Sequence, residues 1–191
     1  MFKRAVKGDF EYLRKKRINT AVITAFMYAV SLGIILIGYL TTGSKKNLLT
    51  IVGVLGLLPA SKSMVSLIML MKAKGAQSAL YDAISKCDEN LVSMYDMYFT
   101  SYKKNFAVCH MTVNDGVIIG YSDDRNFDPK ECCEHIKQML NTAGITDITV
   151  SMSVDMDVYI NMVSNLNKKA AENTNKERDD LVRISLYEIV L

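Results

Sequence analysis

Residues 18–40, INTAVITAFMYAVSLGIILIGYL, and residues 48–71, LLTIVGVLGLLPASKSMVSLIMLM, flank the polar break TTGSKKN at 41–47. The first run holds 23 residues and no charge. At about 1.5 Å per residue a helix of that length reaches about 34 Å, enough to cross a hydrocarbon core of about 30 Å. The second run has 24 residues, interrupted only by Pro59 and Lys62, and is long enough to return. The expected fold is a membrane α-helical hairpin of two transmembrane helices at 18–72. A basic juxtamembrane segment, 1–17, precedes it and a small α+β domain, 73–191, follows. The anchor reading is preferred to a cleaved signal peptide because 23 apolar residues exceed a signal's apolar region and no small-x-small pattern follows them.

The formal net charge of +3 is divided unevenly. Residues 1–72 carry eleven Lys or Arg against two acids, +9, and residues 73–191 carry twelve against eighteen, −6. A basic membrane end suits contact with the lipid bilayer and its anionic headgroups, while an acidic domain is the wrong sign for neutralising nucleic-acid phosphates. Seven cations precede the first run, two lie in the break, and Lys72, Lys74 and Lys86 follow the second run. The positive-inside rule then places both termini in the cytoplasm, as for a multi-pass protein of the cell membrane. Cys87, Cys109, Cys132 and Cys133 would lie on the reducing side and stay free.

Within the first run Ala21, Ala25, Ala29 and Gly33 recur every four residues and predict a smooth helix ridge. Gly53, Gly56 and Ala60 give the second run a similar face. The expectation is that these two ridges pack together, the alternative being that one of them forms a homo-oligomer. Lys62 falls near the bilayer midplane, where a charge costs about 2.5–3.5 kcal/mol and usually marks a membrane-protein partner or a pathway. Its alternative is structural: Pro59 breaks the helix, or the lysine snorkels from a tilted segment. Residues 1–17 read as a short basic amphipathic helix carrying Phe2, Val6, Phe10 and Leu13.

Beyond Lys72, Leu80, Ile84, Cys87, Leu91 and Met94 step by four and three and predict a helix over Gln77–Met94. Three strands follow, at Met97–Ser101, Phe106–Val113 and Val117–Tyr121, the last two joined by Asn114-Asp115-Gly116, a tight-turn sequence. Asp128 before Pro129 predicts an N-cap and a helix to Ala143, stopped at Gly144. A strand at Asp147–Val154, a helix from Asp155 to Ala171 and a last helix over Glu177–Leu191 complete the order α-β-β-β-α-β-α-α.

Helix, three-strand meander, helix and strand, over about Gln77–Val154, resembles the core of the restriction-endonuclease-like fold. That family holds a divalent metal with an acid on the second strand and an Asp/Glu-x-Lys triplet on the third. Here the second strand reads FAVCHMTV (106–113) and the third VIIGY (117–121), with no acid or lysine in either. The resemblance therefore implies an inactive relative.

Two further groups invite a metal. Asp123, Asp124, Asp128 and Glu131 cluster between strand and helix without calcium-loop spacing, which a solvated loop explains more simply. Cys109-His110 and Cys132-Cys133 with His135 are zinc-type ligands that lack a C-x₂-C pair, and buried thiols are the simpler account. The aromatic series Tyr95, Tyr98, Phe99, Tyr102 and Phe106 reads as a tyrosine-rich strand packing on a helix. No phosphate loop, nucleophile elbow or zinc-protease motif is present. No cofactor is expected. The functional expectation is a binding module, an adaptor or accessory subunit. The alternatives are a membrane-anchored metal-dependent hydrolase or nuclease, and a small transporter subunit built on Lys62.

Overall fold

A computed structural model describes residues 7–44, 47–73, 75–101, 104–170 and 176–190. The chain forms α1 (Tyr12–Thr42), α2 (Leu48–Lys72), α3 (Ser78–Ile84), β1 (Val92–Phe99), β2 (Phe106–Asn114), β3 (Val117–Tyr121), α4 (Pro129–Thr142), β4 (Thr149–Ser153), α5 (Met156–Ala170) and α6 (Lys176–Ile189). Residues 13–73 make one compact unit, and the described residues on either side of them make the other.

In the helical unit, Asn47 builds the turn. Its Oδ1 accepts the Thr50 N–H at 2.7 Å, capping α2, while its Nδ2 donates to the carbonyls of Gly38 and Ser44, each at 2.8 Å. Lys45 and Lys46 lie outside the described residues. α2 runs unbroken through Pro59, so the expected break there does not occur. At the opposite end, Arg17 on α1 donates to the carbonyls of Leu70 and Ala73, using a cation to satisfy the last turn of α2.

The seam between the two helices corrects one expectation. Gly53 and Ala60 are buried and Gly56 is half-buried, as anticipated for the second ridge. On α1, however, the residues turned into the seam are Thr24, Ser31 and Gly38, all buried and seven residues apart. Thr24 and Ser63 share a hydroxyl hydrogen bond of 2.6 Å, and a Cβ built on Gly56 would lie 2.7 Å from the Ser31 Oγ. Ala25 and Ala29 are exposed, Ala21 is half-buried, and a Cβ on Gly33 would meet nothing. Helical geometry explains the difference. A four-residue step advances about 40° around the axis, so the ridge from Ala21 to Gly33 winds off any one face, whereas a seven-residue step drifts only about 20°.

The second unit is a three-layer sandwich. Its sheet has the order β1-β2-β3-β4, antiparallel at the first two junctions and parallel between β3 and β4. One face carries Phe99, Met111 and Ile118 against Ile136 and Leu140 of α4 and Val182 and Leu186 of α6. The other carries Cys109 and Ile119 against Leu80 and Ile84 of α3 and Tyr159 and Val163 of α5. Every residue of β2 is buried, which is why that stretch reads as an apolar run rather than an alternation.

The segment after α3 departs from expectation. The helix stops at Ile84 instead of Met94, and β1 begins at Val92. Cys87 and Leu91 still pack on the α3 side, but Met94 belongs to the opposite core. A turn through Asp88, whose carbonyl accepts the Leu91 N–H, reproduces a four-and-three spacing without a helix. Inside β1, Asp96 is buried with φ +56° and accepts the Ala76 N–H at 2.6 Å. Its left-handed backbone shifts the alternation, so Met94 and Met97, three apart, face one core. Val108 and Met111 do the same on β2.

Chain ends close the β1 edge. Gly8 bridges Tyr95 and Val190 bridges Phe99, while Lys7 Nζ donates to the carbonyls of Tyr187 and Val190 at 2.6 and 2.7 Å. The basic amphipathic helix expected at 1–17 is therefore not formed over the described part: Lys7–Glu11 is a strap held by Gly8 (φ +88°) and Glu11 (φ +62°), and Tyr12–Arg17 are the first turns of α1. Phe2 and Val6 lie outside the described residues, as does Tyr102.

Candidate functional site

β2 places His110 at the centre of the sheet, on the face covered by α3 and α5. The ring is fully buried, and its Nδ1 lies 2.6 Å from the hydroxyl of Tyr159, the first core residue of α5. α5 is aimed there by its N-cap, since Asp155 Oδ1 accepts the N–H groups of Asp157 and Val158. Tyr95, opposite His110 in the β1–β2 register, packs at a tilt on the imidazole with centroids 4.5 Å apart. Tyr121, opposite it on β3, packs on Tyr159 at 5.5 Å. Tyr81 and Phe10 extend the aromatic row beyond Tyr95.

Burial governs the electrostatics of this cluster. It depresses the His110 pKa from 6.5 to about 3, so the imidazole is neutral. Burial pushes the Tyr159 phenol well up, and does the same to Tyr95, where the negative charge of Asp88 adds to the effect. Asp88 in turn accepts the Ser93 hydroxyl at 2.6 Å. Two buried polar atoms here have no hydrogen-bond partner among the described residues: His110 Nε2 and Thr112 Oγ1. A cleft of about 140 Å³ shares Cys109 and Tyr121 with the cluster and is bordered by Gln77, Leu80, Asp123 and Met156.

The zinc-type residues do not converge. Cys109 and His110 face α3 and α5, whereas Cys132 lies in the core on the other side of the sheet, with Cys133 against its edge. His135 packs its ring on Phe106 at 5.8 Å. Burial raises the thiol pKa of both Cys132 and Cys133, as expected of packed, unreactive thiols. The acids also go separate ways: Asp123 accepts from the Gln77 amide, Asp124 from the Asn126 N–H, and Asp128 caps α4 through Lys130 and Glu131. Among the described residues no group of three or more His, Cys, Asp or Glu could hold a metal ion.

Elsewhere, Lys62 lies in the middle of α2 and is exposed, its backbone carbonyl accepting the Ser66 hydroxyl. A groove of about 480 Å³ on the helical unit is lined by Leu32, Ile35, Leu36, Tyr39 and Thr50. A polar cleft of about 420 Å³ lies among Asn90, Val113, Asn114 and Asp179, rimmed by Ala170 and Lys176, between which the chain lies outside the described residues.

Sequence reasoning singled out His110 but not Thr112, Tyr159 or Asp88. An apolar strand carrying both a histidine and a threonine two residues apart was the available signal. Tyr159 sits 49 positions away and gave none. No family model matches the chain, and no curated protein or solved structure is similar to it, so the restriction-endonuclease-like resemblance rests on the order of elements alone.

Proposed function

We propose that the chain is a two-pass protein of the cell membrane with both termini in the cytoplasm. Its sheet-containing unit acts by binding, as an adaptor or accessory subunit of a membrane complex. One observation carries this reading: the helix pair is inside out. Thr24, Ser31, Ser63 and the glycines line its seam, while Phe26, Leu40 and Leu48 are 69, 71 and 75% exposed. The core helix of a water-soluble protein would bury those side chains; a hydrocarbon solvent would not penalise them. Both helices are long and apolar enough to cross.

Lys62 motivates the subunit role, because a cation in mid-span with no acid in either helix needs an outside partner. Native mass spectrometry of the detergent-solubilised chain, wild type beside Lys62→Leu, tests it. A defined oligomer or bound subunit in wild type, lost in the variant, is the expected result. A monomer in both removes Lys62 as an assembly residue. Repeated failure to recover any partner or self-association from mild detergent removes the subunit reading itself.

A further inference from the structure

We propose that His110 Nε2 and Thr112 Oγ1 together form an internal hydration site, one or two water molecules held against the central strand as an integral part of the core. The tautomer of His110 follows from counting donors. If Nδ1–H donated to Tyr159, the phenolic proton would need a second acceptor, and Tyr159 has no other polar partner among the described residues. Two polar groups would then be unmet. If Tyr159 O–H donates to Nδ1, only one group is unmet, the Nε2–H. The raised phenol pKa keeps that proton on the oxygen. Nε2 is therefore a donor, and its ligand must be an acceptor. A metal ion, which needs the Nε2 lone pair, does not fit.

Thr112 completes the site. It lies two residues along β2, on the same face as His110, with the two Cα atoms about 7 Å apart by strand geometry. Its own register partners are Ser93, whose hydroxyl is committed to Asp88, and Ile119, which has no polar side-chain atom. Thr112 Oγ1 is buried and without a partner among the described residues, as is Nε2. Side chains so spaced are too far apart for a direct bond, and one or two small molecules that both accept and donate can link them. Water is the small ligand with that character, and buried water characteristically joins such groups.

The experiment uses the full chain in detergent, labelled with ¹⁵N-histidine. The ring nitrogen shifts read the tautomer, and a rotating-frame cross-peak between the Nε2 proton and water reads the occupant; His135→Gln assigns the two histidines. The expected result is an Nε2–H tautomer with a water cross-peak in wild type, and loss of that cross-peak in Thr112→Val. An Nδ1–H tautomer, or an Nε2–H proton without a water cross-peak, overturns the site in wild type alone, whether or not the valine variant folds. A cross-peak unchanged in a folded Thr112→Val overturns the shared role of Thr112.

Discussion

At the scale of single residues, His110 is an ionisable group held almost entirely away from water. Its folded pKa of about 3 lies below the ordinary 6.5, so the unfolded chain binds more protons between those values. The neutral ring contributes its full stability above about pH 6.5, and that contribution is lost as the pH falls from there towards 3. At pH 5 the loss is about 2 kcal/mol. Unfolding free energies of wild type from urea titrations at pH 7.5 and 5.0 should differ by that amount more than those of His110→Phe, which has nothing to protonate at the site. Equal pH dependence in the two proteins would mean that His110 is hydrated enough to titrate normally. Asp96 shows why such residues escape a reading of sequence. An aspartate inside a strand normally argues against the strand, and here its left-handed backbone lets Met94 and Met97 serve one core.

At the scale of elements, legibility followed locality. The Asn114-Asp115-Gly116 turn formed as read, with φ +48° at Asp115 and +74° at Gly116. The Asp128-Pro129 cap did too, because each depends on neighbours within four residues. The end of α3 did not, since a turn and a strand satisfied the same apolar spacing, and pairing with β2 decided between them. What holds the β2–β3 turn was also invisible locally: Asp179, from α6, is 2% exposed and accepts the N–H groups of Asp115 and Gly116 at 3.0 and 3.3 Å. Asp179→Ala should cost about 2–3 kcal/mol by stranding two turn donors. Its neighbour Asp180, paired with Arg183 on an exposed surface, should cost no more than about 0.5 kcal/mol when replaced by Ala. Comparable losses at the two positions, read from urea midpoints, would refute the latch. The helix pair gives a matching contrast. A side chain at Gly53 would collide with Ile35 and sit 3.0 Å from the Ser31 carbonyl, whereas Ala29 faces outward. Gly53→Leu should lower the thermal midpoint of the detergent-solubilised protein markedly, and Ala29→Leu should leave it nearly unchanged. A large effect at Ala29 alone would instead mark the four-residue ridge as an interface with another chain.

At the scale of the whole molecule, the sign of the charge along the chain sets the last expectation. Arg14, Lys15, Lys16 and Arg17 open α1, and Lys72 closes α2, so one end of the pair is strongly basic. The turn end offers Lys45 and Lys46 alone. Basic residues beside a span are retained on the cytoplasmic side, so the proposed orientation has the turn outside and the sheet-containing unit, with the half-buried thiol of Cys87, inside. A membrane-impermeant maleimide distinguishes the two orientations. Wild type should remain unlabelled in intact cells and react once they are permeabilised, because its four thiols all lie beyond α2. Ser44→Cys should react in intact cells. Labelling of wild type in intact cells would reverse the orientation, and with it the reducing environment in which four free thiols are stable. A wild-type protein that stays in the soluble fraction after lysis, with no detergent needed, would instead mean that the exposed apolar faces of α1 and α2 are covered by protein rather than lipid.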